Sequence, residues 1–238
     1  MKEDTREELF ERYTETYYSQ VNRFDRRSYE ESAQAYSYLY DRFLPKDLDA
    51  QILDIGCGTG FFLLYLKNRG YKQFYGIDLS EQQLALCREY VTDQVACEDA
   101  FDFLRSHKEM FNLIIINDFI EHVEKRRIIS LLGLVRDALK EKGRLILKTP
   151  NMGFPMGQRC RYIDFTHEVC FTEESIWQVL KHCRFRDINI YSTDYSIKWE
   201  QKLRMKIRAA IVNFIFGKCL NVGLPRIRSA NLLVVADK

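Results

Sequence analysis

Gln51-Ile-Leu-Asp-Ile-Gly-Cys-Gly-Thr-Gly60 is the stretch on which the rest of the reading turns. It opens as a short apolar strand, runs into glycines at 56, 58 and 60, and continues into an apolar, helix-like segment from Phe61 to Arg69. A strand that turns sharply into a helix leaves unpaired backbone N–H groups and the positive end of the helix dipole at the turn. Glycine there permits positive φ and lets a ligand touch the main chain. The stretch therefore reads as a small-molecule cradle at the carboxyl end of the first strand of an α/β sheet. The alternative is a glycine-rich turn that holds nothing.

Two phosphate-binding patterns are excluded. G-x-G-x-x-G would need glycine at 61, where Phe61 stands, and the Gly-Lys-Ser/Thr of a P-loop is missing. What remains is Asp54-x-Gly-x-Gly-x-Gly, which resembles motif I of the class I S-adenosylmethionine (SAM)-dependent methyltransferases. The resemblance covers roughly residues 40–195. It implies that Gly56, Cys57, Gly58 and Gly60 pack against the methionine part of SAM while Asp54 holds its amino group. SAM has no phosphate, so a carboxylate at the turn suits its zwitterionic end.

Residues 51–149 alternate short apolar runs with helical patterns, the signature of a parallel sheet. Strands are expected at 51–55, 73–77, 94–97, 111–117 and 143–149, and helices near 60–69, 81–91, 100–107 and 122–141. Strands at 185–191 and 231–236 complete seven. The expected fold is a Rossmann-like, doubly wound α/β sheet, mostly parallel with the last strand antiparallel. Residues 1–45 are expected to form a helical lid, and 46–238 the catalytic domain. Residues 5–43 carry aromatics at helical spacing in two helices broken near 22–28, with Ser28 and Glu31 as a capping box for the second.

Further acidic positions fall at strand ends. Asp78, with Leu79 after it, ends the second strand, where a carboxylate can accept from both ribose hydroxyls. Asp99 and Ala100 follow the third; the resemblance implies that they read the adenine. Asn117 and Asp118 end the fourth, where cofactor and acceptor would meet. Each Asp could instead cap a helix.

Ile120-Glu-His-Val-Glu124 comes next, and an Asp-x-x-Glu-His segment here is similar to one in many small-molecule methyltransferases. His122 is a candidate to polarise an acceptor hydroxyl; it could also cap or pack. No further ligand stands at a helpful spacing from Glu121 and His122, so no metal is expected. The long loop 150–171 should arch over the acceptor side. Asp164 and His167 within it are the first candidates for an orienting carboxylate and a base. The Asp164–His167 segment, with Phe171-Thr172 opening a helix, also resembles a subgroup tied to bacterial cell-surface sugar methylation. The reading is O-methylation of a sugar or glycan-linked small molecule. A quinone-like phenol or amine acceptor, or a non-catalytic SAM-binding protein, stands behind it. No Asn-Pro-Pro-Tyr-type tetrapeptide follows the fourth strand, which argues against a nucleic-acid substrate.

The chain has 238 residues and a formal net charge of +2, but the charge is unevenly placed. Residues 198–228 hold eight basic residues against one acidic, a net +7, so the remainder is −5. Trp199, Leu203, Ile207, Ala210 or Ile211, and Phe214 recur there at helical spacing. A basic amphipathic helix over 198–222 fits an anionic membrane surface, or else docks on its own sheet or on the second subunit of a homodimer. The seven cysteines are scattered, with no C-x-x-C pair, and the first residues are charged. The expectation is reduced thiols, no signal peptide and a cytoplasmic location, with the membrane's inner face as the one further option.

Overall fold

The computed structural model describes residues 9, 13–18, 25–154, 157–195, 199–212, 214, 215, 219 and 224–238. Most of the first expected N-terminal helix, with Asn22 to Phe24 of the break, lies outside them, as does much of 213–223. The strands are β1 (Ile52–Ile55), β2 (Phe74–Asp78), β3 (Val95–Cys97), β4 (Phe111–Asn117), β5 (Leu139–Pro150), β6 (Arg186–Ser192) and β7 (Asn231–Asp237). They form one sheet in the order β3-β2-β1-β4-β5-β7-β6. Only β7 runs antiparallel, between β5 and β6.

Eight α-helices accompany the strands among the described residues: α1 (Arg26–Tyr40), α2 (Phe61–Asn68), α3 (Glu81–Tyr90), α4 (Ala100–Ser106), α5 (Ile128–Ala138), α6 (Gly157–Tyr162), α7 (Glu173–His182) and α8 (Trp199–Val212). The period-2 alternation of the strands sorts side chains to two faces. Leu53, Ile55, Ile114, Ile116, Leu145 and Leu147 form one core with α4, α5 and α7. Ile52, Leu113, Ile115 and Ile146 form the other, with α1, α2 and α3. Strand order reverses beside β1, so the tips of β1 and β4 open a crevice at the carboxyl edge.

Several boundaries differ from the sequence reading. The helix expected over 122–141 is two 3₁₀ turns, Ile120–His122 and Lys125–Arg127, followed by α5, and β5 begins already at Leu139. No Gly or Pro stands between Gly133 and Gly143 to mark the junction, so the change of element is concealed in the sequence. α1 is capped by Asp25, whose carboxylate accepts from the Ser28 amide at 2.8 Å, rather than by Ser28. The long loop contains α6. Thr172 opens α7 as expected, and a capping box holds that end: its hydroxyl accepts from the Ser175 amide, and the Ser175 hydroxyl accepts from Thr172 N–H. Among the described residues no helix is long and apolar enough to cross a membrane.

Candidate active site

The glycine turn links β1 to α2. Gly56, Gly58 and Gly60 all have positive φ. Two of them also meet a neighbour. A Cβ on Gly56 would lie 2.7 Å from the ring of Phe119, and one on Gly60 would lie 2.4 Å from Cys87 Sγ. The turn differs from the expectation in one respect: its amides are largely spent within the protein. Gly56 and Cys57 N–H donate to the Ile77 carbonyl, Gly58 N–H to Asp78 Oδ2 at 2.9 Å, and Gly60 N–H to the Cys57 carbonyl. The turn is thus a wall that a ligand can approach closely, rather than a row of waiting donors.

The unspent groups lie beside it. Asp54 Oδ1, on β1, and Asn117 Nδ2, at the tip of adjacent β4, are buried with no hydrogen-bond partner. Buried polar atoms are normally satisfied, so an acceptor and a donor left over in one crevice mark where a ligand completes the structure. Burial, then the nearby Asp78, pushes the Asp54 carboxyl well above the usual range. A cationic ligand would reverse that. Asn117 Oδ1 is occupied, accepting from the buried Tyr40 hydroxyl at 2.5 Å. Asp78 stands at the end of β2 with its oxygens accepting from Gly58 and Ser80 N–H, so it pins the turn to the neighbouring strand. Leu79 beside it is exposed. Asp99 caps α4, accepting from the amides of Phe101 and Asp102, and Ala100 is buried. Asp118 has a positive φ and pairs with Lys148 at 2.5 Å.

The three catalytic candidates come together from two distant segments. Glu168 and Val169 N–H both donate to the Glu121 carbonyl, which docks the long loop against the turn after β4. The His122 and His167 rings then lie 4.8 Å apart, edge to face. Asp164, only 3% exposed, accepts from the Thr166 hydroxyl at 2.6 Å and from Tyr13 Oη at 2.7 Å. Burial pushes the Asp164 carboxyl up, but hydrogen bonds from Thr166 and Tyr13 outweigh it and leave the group below the usual range. It is therefore ionised at neutral pH.

Tautomers follow from the partners. His167 Nδ1 lies 2.7 Å from the Cys160 carbonyl, which can only accept, so Nδ1 carries the proton. His122 Nδ1 lies 2.8 Å from Thr166 Oγ1. That hydroxyl gives its own proton to Asp164, so His122 Nδ1 is also the donor. Burial and then the facing His167 lower the His122 pKa to about 4, so the ring is neutral. Glu121 is 1% exposed, with Oε2 accepting from the Thr149 hydroxyl at 3.1 Å. Burial, then Asp118, raises its pKa to about 8.

Tyr13, Thr166 and Thr149 are members of this site that the sequence reading does not single out; Glu121 enters that reading only beside His122, in the weighing of a metal. Tyr13 belongs to the segment leading into a π-helical turn, Thr14–Tyr18, that lies across the crevice. Its neighbour Thr14 reaches Ser80 at 3.3 Å, on the far side from Asp164. The aromatic richness of residues 5–43 was the available signal, though it did not single out Tyr13.

Comparisons with known proteins agree with this architecture. A family model described as a methyltransferase domain matches residues 24–189. A SAM-dependent methyltransferase from Archaeoglobus fulgidus superposes with a TM-score of 0.67 at 23% identity, covering 88% of this chain and 94% of that one. A possible histamine N-methyltransferase from Thermotoga maritima gives 0.65 at 18% identity, covering 97% and 98%. Phosphoethanolamine N-methyltransferase 2 of Haemonchus contortus, solved with SAM, gives 0.60 at 18%, covering 96% and 60%. A ribosomal protein L11 methyltransferase of Ruminiclostridium cellulolyticum is 31% identical over 93 residues, and the match spans 37% of this chain and 29% of that protein.

Proposed function

The chain belongs to the methyltransferase-domain family, and from that premise we propose that it binds SAM at the glycine turn and methylates a hydroxyl on a sugar or glycan-linked small molecule. The observation that carries the proposal is the pair of unmatched buried atoms, Asp54 Oδ1 and Asn117 Nδ2, beside a turn that tolerates no Cβ at 56 or 60. A buried carboxylate suits the cofactor's ammonium, and an amide donor suits its carboxylate. Asp78 with Leu79, and Asp99 with Ala100, are assigned to ribose and adenine. When bound, SAM supplies an electrophilic methyl group on a sulfonium that leaves as a neutral thioether.

The protein's share is positioning and proton handling. His122 and His167, both protonated on Nδ1, each keep an Nε2 lone pair; His167 takes the proton of the acceptor hydroxyl, and His122 polarises that hydroxyl. Asp164 fixes Thr166, which fixes the His122 ring. The segment around Tyr13–Tyr18 acts as a lid that contributes Tyr13 to this network. An amine acceptor is the second reading, favoured by the ionised, buried Asp164, which could hold an ammonium. The names of two structural neighbours point the same way. A screen of SAM consumption against nucleotide sugars, lipid-linked sugars, phenols and amines tests both. Turnover on amines alone refutes the hydroxyl assignment, and SAM binding without turnover on any class refutes both.

The basic insertion is assigned to an anionic membrane surface. On α8, Leu203, Ile207 and Ile211 recur every four residues and are 49%, 51% and 52% exposed. Phe214 and Ile215 extend the exposed apolar row. An unburied apolar stripe within a +7 segment matches a lipid interface better than open water.

A further inference from the structure

We infer that Glu121, His122 and His167 form a binding site for a divalent transition-metal ion of the zinc class. The sequence offers only an adjacent Glu-His pair. The third group arrives through the fold, when the amides of Glu168 and Val169 bind the Glu121 carbonyl and bring His167 alongside. One ligand atom from each of the three then lies within 4.8 Å of the others. Two imidazoles and one carboxylate are a donor set that suits zinc and its neighbours better than magnesium or calcium.

The surroundings carry the inference beyond mere proximity. Imidazoles that hold a metal usually donate the other ring N–H to a carbonyl or to a carboxylate-linked partner, which fixes tautomer and orientation. Both rings do so here. His167 Nδ1–H donates to the Cys160 carbonyl, and His122 Nδ1–H donates to Thr166, itself locked by Asp164. Each ring therefore carries its lone pair on Nε2. The carboxylate is held likewise, with Thr149 donating to Glu121 Oε2. Glu121 and His167 are both buried, 1% and 9% exposed. Ligands around a tetrahedral zinc stand roughly 3.4 Å apart, given bonds of about 2.0–2.2 Å, so atoms up to 4.8 Å apart must close by up to about 1.4 Å. Three protein ligands leave a coordination position for an outside oxygen. With both Nε2 lone pairs on the ion the rings no longer serve as bases, and the ion would instead acidify a hydroxyl held at that position; that this oxygen is the acceptor hydroxyl rests on the methyltransferase reading, whereas the binding of the ion does not.

The test uses the full chain, stripped with EDTA and then titrated with Zn²⁺ by calorimetry without SAM or acceptor. One equivalent is expected to bind, and His167→Ala and His122→Ala should each weaken it by at least about tenfold. His182→Ala, on α7, should leave it unchanged. Folding of each variant is checked by circular dichroism. Titration of the unmodified chain with Co²⁺ gives a second readout that needs no variant. Weak visible bands of nitrogen and oxygen ligands support the site, whereas an intense near-ultraviolet thiolate band would place the ion on cysteine and overturn it. No stoichiometric binding, or binding that survives His167→Ala, overturns it as well. SAM affinity measured on the metal-free chain separates this outcome from failure of the methyltransferase reading.

Discussion

Asp54→Asn should move two measurements in opposite directions. Asp54 is 2% exposed and its Oδ1 has no partner, so without cofactor the fold buries a carboxylate that nothing neutralises. Its pKa is raised in the folded state, chiefly by burial. The folded protein then holds this proton more tightly than the unfolded chain does. The group's contribution to stability is therefore full below the unfolded value of about 3.9 and is lost as pH rises through the folded pKa. Asn keeps the shape and removes the charge. Relief of a buried, unmatched charged acceptor is worth about 1–3 kcal/mol, less what the unmatched amide costs. For a chain of this size each kcal/mol moves Tm by roughly 2–4 °C. The apo variant should melt a few degrees higher at pH 7, and the difference should shrink toward pH 4. With SAM the sign reverses. Loss of a charge-assisted bond to the ammonium removes about 1.5–3 kcal/mol, or roughly 10- to 150-fold in Kd. Scanning fluorimetry with and without SAM, over a pH series, reads both. A variant that melts lower than the parent without SAM and binds SAM equally well would refute the reasoning.

Asp78→Ala should weaken SAM binding at least about tenfold and loosen the turn, since the same carboxylate holds Gly58 and Ser80 N–H; unchanged calorimetric affinity would contradict it. Gly60→Ala places a Cβ 2.4 Å from Cys87 Sγ at a φ of +82°. It should cost about 2–4 kcal/mol in urea unfolding, combining left-handed strain with overpacking, and a loss below about 1 kcal/mol would show that Cys87 simply rotates away. Deleting 198–222 should abolish sedimentation with anionic vesicles and leave neutral vesicles unaffected, and failure of the intact chain to sediment ends the membrane assignment.

The parallel half of the sheet was legible because each strand is a short apolar run closed by Gly, Asp or Asn, and each crossover has helical period. The tip of β4 onward was harder. Ile128 to Ala138 keeps helical period up to its end, and Ala138-Leu139 between Asp137 and Lys140 suits either element, so the switch from α5 to β5 leaves no mark in the pattern. The capping carboxylate of α1 sits three residues before the Ser chosen from sequence, since Asp25 and Ser28 are both good caps and only the backbone decides between them. In the site, residue types showed which groups could act, and Asp164, His122 and His167 are indeed neighbours. Distance along the chain hid the rest. Tyr13 meets Asp164 across 151 positions, and Glu121 meets Thr149 across 28. No local spacing rule reaches that far.

The place of β7 in the sheet bears on how the molecule is made. It lies between β5 and β6, so β6 has no strand to join until residues 231–237 leave the ribosome. The loop carrying Asp164 and His167 waits on the same event, because buried Asn151 at its root donates to the carbonyls of Ile227 and Ser229. β1 to β4, with the glycine turn, are complete more than a hundred residues earlier. A nascent chain can therefore assemble the turn and its neighbouring strand tips first, while the wall opposite them is set in place only by the final strand.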